Sequence, residues 1–80
     1  MTGCVIESTP DSPEEVTERL IPLLEDSEPD IRRTAALSLG KIGDPQSIPA
    51  LVAALSDPDD EVREWSAWAL GTMADSLSEQ

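Results

Sequence analysis

Residues 26–40 read DSEPDIRRTAALSLG, and residues 57–71 read DPDDEVREWSAWALG. The second stretch restates the first at a spacing of 31. Asp26, Arg32, Ala36, Leu39 and Gly40 recur as Asp57, Arg63, Ala67, Leu70 and Gly71. Outside these stretches Leu20, Leu24 and Asp44 recur as Leu51, Leu55 and Asp75. Ile21/Val52, Ile31/Val62 and Ile42/Met73 are like-for-like exchanges. A period between 20 and 50 residues marks a supersecondary unit that hides its apolar face only by stacking on its neighbour.

Each unit reads as two helices. Ser12-Pro13-Glu14-Glu15 is a helix start: Ser12 suits the cap, Pro13 the first helical position, and Glu15 completes a capping box. Val16, Leu20, Leu23 and Leu24 follow on one helical face. Pro22 lies inside that pattern, where it removes one hydrogen bond and predicts a kink rather than an end. After the turn at Asp26–Pro29, a second helix is expected over 28–42. Its core face is Ile31, Ala35, Leu39 and Ile42 with Ser38 alongside, and Gly43 is its stop. Asp44 caps a third helix over 45–56, with Ile48, Leu51, Val52 and Leu55 facing inward. The turn Asp57–Asp60 opens a fourth helix to about Ala74, with Val62, Ser66, Ala69, Leu70 and Met73 inward. No strand pattern occurs. The expected fold is all-α: a short right-handed α-solenoid of two stacked helical hairpins, four helices in all. Its expected parts are an unstructured arm over 1–11, repeat one over 12–44, repeat two over 45–75 and a frayed tail over 76–80.

Composition narrows the function. The 80 residues hold 17 acids and five bases, a formal net charge of -12, with no His, Tyr or Phe. The charge is uneven: residues 1–30 sum to -8, residues 31–56 to +2 and residues 57–80 to -6. Without His and with Cys4 alone, no internal disulfide, protein-built metal site or Ser-His or Cys-His catalytic pair is expected. No cofactor and no catalytic residue are assigned. So acidic a surface is a poor match for nucleic acid. The longest mostly apolar run, Ile48–Leu55, is too short to span a bilayer, and no signal segment is read at the start. The expected location is the cytoplasm. Many acids with a single Lys is also the balance of a halophile's protein. The run Asp57–Glu61 mimics the start of a calcium loop, but Val62 stands at the central glycine and Trp68 at the closing acid, so an EF-hand is rejected.

The two strings, with the pattern D-x-x-x-x-[IV]-R-x-x-[AS]-A-x-x-L-G, resemble HEAT-like repeats of the phycobilisome-lyase type over about residues 16–75. The resemblance implies that Asp26, Arg32, Asp57 and Arg63 tie neighbouring repeats together. It also implies that the second helix of each pair lines the concave surface that faces partners. The small residues Ala35, Ala36, Ala67 and Ala69 let helices approach, and Gly40 and Gly71 let a neighbouring backbone come close. The resemblance assigns no activity, because such repeats serve as scaffolds in unrelated proteins.

A helical wheel locates the expected site. At 100° per residue the core direction of the fourth helix lies between Val62 and Leu70, with Trp68 about 150° and Trp65 about 90° away from it. Both aromatics therefore fall on a second stripe, with Glu61, Glu64 and Thr72. The neighbouring positions of the second helix are Arg33, Thr34, Leu37 and Lys41. Leu37, Trp65 and Trp68 are read as apolar anchors for a partner. Covering one Trp fully removes 150–250 Å² from water, roughly 4–6 kcal/mol as an upper bound. The alternative is that Trp65 clads the core against Thr34 or Leu37. The expected function is a small non-catalytic scaffold that binds a protein segment through this face. The competing readings are self-association, as a homodimer through the same face or the C-terminal end, and a bilin-lyase-like chaperone component. The lyase reading is weakened by the short chain, the missing His and Tyr, and the position of Cys4.

Overall fold

The computed structural model describes residues 12–77, with side chains to Asp75. The expected arm over 1–11, Cys4 included, lies outside the described residues, as do residues 78–80. Among the described residues the regular structure is helical throughout. Helix α1 spans Pro13–Leu20, α2 Pro29–Ile42, α3 Ile48–Ala54 and α4 Asp60–Leu77. Two 3-10 segments, Ile21–Glu25 and Pro45–Ser47, extend α1 and precede α3.

The helix boundaries follow local chemistry. Ser12 Oγ accepts the Glu15 amide at 3.2 Å, so α1 starts where the capping pattern puts it. Its end differs from expectation. Pro22 has no N–H to give to the carbonyl four residues back and its ring crowds that carbonyl. The chain tightens into the 3-10 segment from Ile21 instead of continuing as a kinked α-helix. Gly43 ends α2 with φ 75°, and its amide bonds Leu39 O at 3.0 Å. Asp44 accepts the Gln46 amide at 2.9 Å. Asp59 caps α4 through the amides of Glu61 (2.8 Å) and Val62 (3.2 Å). Helix α4 runs three residues past the end read from sequence, so the first two residues of the expected frayed tail are helical.

Helix α2 packs most extensively on α4, which joins the two hairpins. Arg33 meets Asp59 and Glu61, and further along Gly40 meets Trp68 and Ala69, so the two helices run parallel. The core lies in this seam and between hairpin mates. It consists of Leu24, Ala35, Ala36, Leu39, Leu51, Ala54, Val62, Ala69 and Met73, with Thr17, Ser47 and Ser66 buried among them.

Four residues expected in the core are exposed instead: Leu23 (36%), Ile31 (38%), Val52 (52%) and Leu55 (39%). Two of them report the ends of the stack. Ile31 matches Val62, which is fully buried against the first repeat, while among the described residues no earlier repeat covers Ile31. Leu55 matches Leu24, which is buried, while no later repeat among them covers Leu55. A solenoid repeat is covered only by its neighbours, so the same position is core inside the stack and surface at its end.

Ser47 Oγ donates to Asp44 O at 2.8 Å and Thr17 Oγ1 to Pro13 O at 2.8 Å. Ser66 Oγ is buried among the described residues without a hydrogen-bond partner. An unsatisfied buried hydroxyl costs about 1–3 kcal/mol, and the matched residue of the first repeat is Ala35. Ser66→Ala is therefore expected to stabilise the fold by about 1 kcal/mol. Urea unfolding checks this, and a loss of stability would mean that the hydroxyl is satisfied in solution.

Candidate interaction surface

Helices α2 and α4 present the site residues side by side. Arg33, Thr34, Leu37 and Lys41 come from α2, and Glu61, Glu64, Trp65, Trp68 and Thr72 from α4. Their roles divide in a way that the helical wheel did not show.

Trp65 and Trp68 touch edge to face, with ring centroids 5.7 Å apart and planes at 90°, a favoured arrangement of ring quadrupoles. Trp65 is half-buried and packs against the hydrophobic core. Trp68 keeps 39% of its surface exposed. Its ring also crosses the seam onto α2: a methyl group at Gly40 would come within 2.5 Å of Trp68 Cζ3 and 2.8 Å of Ala69 Cβ. The indoles are thus not turned away from the packing seam. Trp65 clads it, and Trp68 lies against it while staying partly exposed. Gly40 does admit a close neighbour, as expected, but the neighbour is an aromatic side chain rather than backbone. Leu37 is half-buried, and Lys41, Glu64 and Thr72 are exposed. The hydroxyls of Thr34 and Thr72 are turned to backbone, donating to Asp30 O and Ala69 O, both at 2.9 Å.

The charged residues at the start of this face are held by each other. Arg33 Nη2 lies 3.0 Å from Asp59 Oδ2, Nε 3.2 Å from Glu61 Oε1, and Nη1 2.8 Å from Asp30 Oδ1. Arg33 and Glu61, expected to meet a partner, form a clasp between the repeats. The Arg33 hydrogen bond, helped by the Val62 and Glu61 amides, holds the Asp59 carboxyl down at about 2. The same bond raises Arg33 above its ordinary value. Sequence reading placed Asp59 only in the acidic turn that opens the fourth helix. A signal for its second role was present, since Arg33 is a base near the start of the second helix while Asp59 and Glu61 are acids at the start of the fourth.

The four residues assigned to tying repeats together are placed unequally. Arg32 Nε bonds Asp57 Oδ2 at 2.8 Å and Nη2 bonds Oδ1 at 3.2 Å, a fork-on-fork pair across the seam. Arg32 Nη1 also donates to Asp26 O at 2.7 Å. Arg63 repeats the local half, donating to Asp57 O at 2.7 Å, but its ion pair is with Asp60 in its own helix. Asp26 Oδ1 accepts the Glu28 amide at 2.9 Å as Asp57 Oδ1 accepts that of Asp59. The calcium-like acidic run is thereby committed: Asp57 to Arg32, Asp59 to Arg33. Among the described residues no group of three or more His, Cys, Asp or Glu could hold a metal ion, and no helix is long and apolar enough to cross a membrane.

A family model described as HEAT repeats matches residues 8–77. No curated protein matches the chain.

Proposed function

Because the chain belongs to the HEAT-repeat family, we propose that it is a small non-catalytic scaffold that seats a protein segment across the α2/α4 face, with Trp68 as the anchor. HEAT repeats generally mediate protein–protein interaction, which supports a scaffold. The observation that carries the choice of face is the posture of Trp68. Its ring lies against Gly40, Trp65 touches it at right angles, and 39% of its surface stays accessible. A large apolar side chain fixed in advance costs little further entropy when a partner covers it.

The structure also rescales the gain. With 39% of Trp68 still accessible, covering it removes on the order of 100 Å², worth roughly 2–3 kcal/mol. Half-buried Leu37 and the stems of Lys41 and Glu64 would enlarge the contact. Trp65, packed on the core, acts by holding Trp68 in place.

The test compares partner capture by the wild type and by Trp68→Leu. Leucine is what the first repeat carries at the matched position, Leu37, so the seam keeps an apolar side chain. Capture by the leucine variant is expected to fall about tenfold or more, as for loss of a central aromatic anchor. Equal capture, with unchanged circular dichroism, would remove this face as the docking site.

A further inference from the structure

The seam inside the molecule shows what each trailing face of a repeat accepts, and no described residue covers the trailing face of the second repeat. Ala36, Leu39 and Gly40 are buried by the second repeat, whereas Ala67 and Gly71 are exposed and Leu70 is half-buried. Gly40 has the Trp68 ring against it, while a methyl group at Gly71 would meet nothing within 4 Å. Arg32 is forked onto Asp57 of the next repeat, but Arg63 has 44% of its side chain exposed and an acid of its own helix as partner. Apolar positions, a glycine seat and an arginine whose ion pair is local thus recur together on the trailing side of the second repeat.

One position breaks the repetition. Arg33, which meets Asp59 and Glu61 across the inner seam, is matched 31 residues later by Glu64. A hairpin stacked in the same register would bring to Glu64 its own counterparts of Asp59 and Glu61. In a second copy of this chain those are Glu28 and Asp30. Its Asp26 would suit Arg63 and its Leu37 would fit on Gly71, but Glu64 would face Glu28 and Asp30, and the base beside Asp30, that copy's Arg33, is already shared with its own Asp59 and Glu61. Like charges facing each other across an interface are a strong element of rejection.

We propose that the trailing end, built from Leu55, Arg63, Glu64, Ala67, Leu70 and Gly71, is a docking face for the leading hairpin of a different HEAT-type protein. That partner carries an acid at the position of Asp57 and a base at that of Asp59 or Glu61. Glu64 selects for the base and refuses a second copy of this chain. This face shares Glu64 with the Trp68 face but does not depend on Trp68.

The experiment uses full chains as probes. The first probe carries Glu28→Arg, which supplies the base, and Gly71→Trp, which fills its own trailing seat so that it cannot form chains. A second probe carries Gly71→Trp alone. Glu28 makes no side-chain cap bond to α2, and the space beside Gly71 is open, so both probes should fold; circular dichroism verifies it, and Gly71→Lys replaces the tryptophan if needed. In analytical ultracentrifugation the wild type is expected to form a one-to-one complex with the first probe. Its binding to the second probe is expected to be weaker by about tenfold or more. A Glu64→Arg chain should reverse the preference. Binding to neither probe at high concentration, equal binding to both, or pairing of the wild type with itself through this end would each overturn the proposal.

Discussion

Leu39→Ala is expected to cost about 3–4 kcal/mol, whereas the same change at its repeat partner, Leu70→Ala, is expected to cost about 1 kcal/mol. Leu39 is fully buried in the seam, where close packing leaves a cavity that neighbouring helices cannot collapse into. Leu70 is half-buried on a face that no described residue covers, where truncation leaves no closed cavity. A chain of this length holds on the order of 4–12 kcal/mol in total, so the Leu39 variant would lose a large share of it. Urea unfolding with unchanged slope is the measurement. Equal losses at the two positions would contradict the description of the second repeat as an open end.

Asp57→Ala is expected to cost about 2–3 kcal/mol. Its carboxylate is 9% exposed and accepts two bonds from Arg32, itself 14% exposed, together with the Asp59 amide. Removing one partner of a buried pair leaves the other charge uncompensated, which costs about 3–5 kcal/mol when burial is complete. Here Arg32 retains some solvent and the Asp26 carbonyl, which lowers the figure. Asp26→Ala removes only the local bond to the Glu28 amide and should cost about 0.5–1 kcal/mol. Adding Arg32→Met to Asp57→Ala should recover part of the loss, since no orphaned charge then remains. Thermal unfolding of the two single variants and the double variant tests this. Simple additivity would show that the pair does not act as a unit.

Much of the architecture was legible because it is written locally. The Ser12 and Asp44 caps and the Gly43 stop each depend on a few adjacent residues, and the 31-residue period is read by direct comparison of the two halves. What the sequence left unread depends on neighbours far along the chain. A helical wheel has one inward direction, but α4 has two contacts, its hairpin mate α3 and the preceding α2. Trp68 lies far from the first and directly over the second, so it looked free when it was half-seated on Gly40. Arg33 and Glu61 looked like partner contacts for the same reason. Ile31 and Leu55 carry the right period for a core, but periodicity records the face of a helix and not whether another repeat covers it. At Pro22 the apolar pattern continues although the hydrogen bonding changes, and a 3-10 turn keeps Leu24 pointed inward.

The acidic turn before α4 carries a consequence for how the molecule comes apart. The same few residues that start this helix, Asp57 and Asp59, also grip both arginines of α2. Loosening the cap releases the grip, and pulling the hairpins apart strips the cap of the carboxylates' fixed geometry. Initiation of one helix and attachment to another are therefore a single cooperative event, and the two repeats are expected to open together as one foldon rather than in sequence.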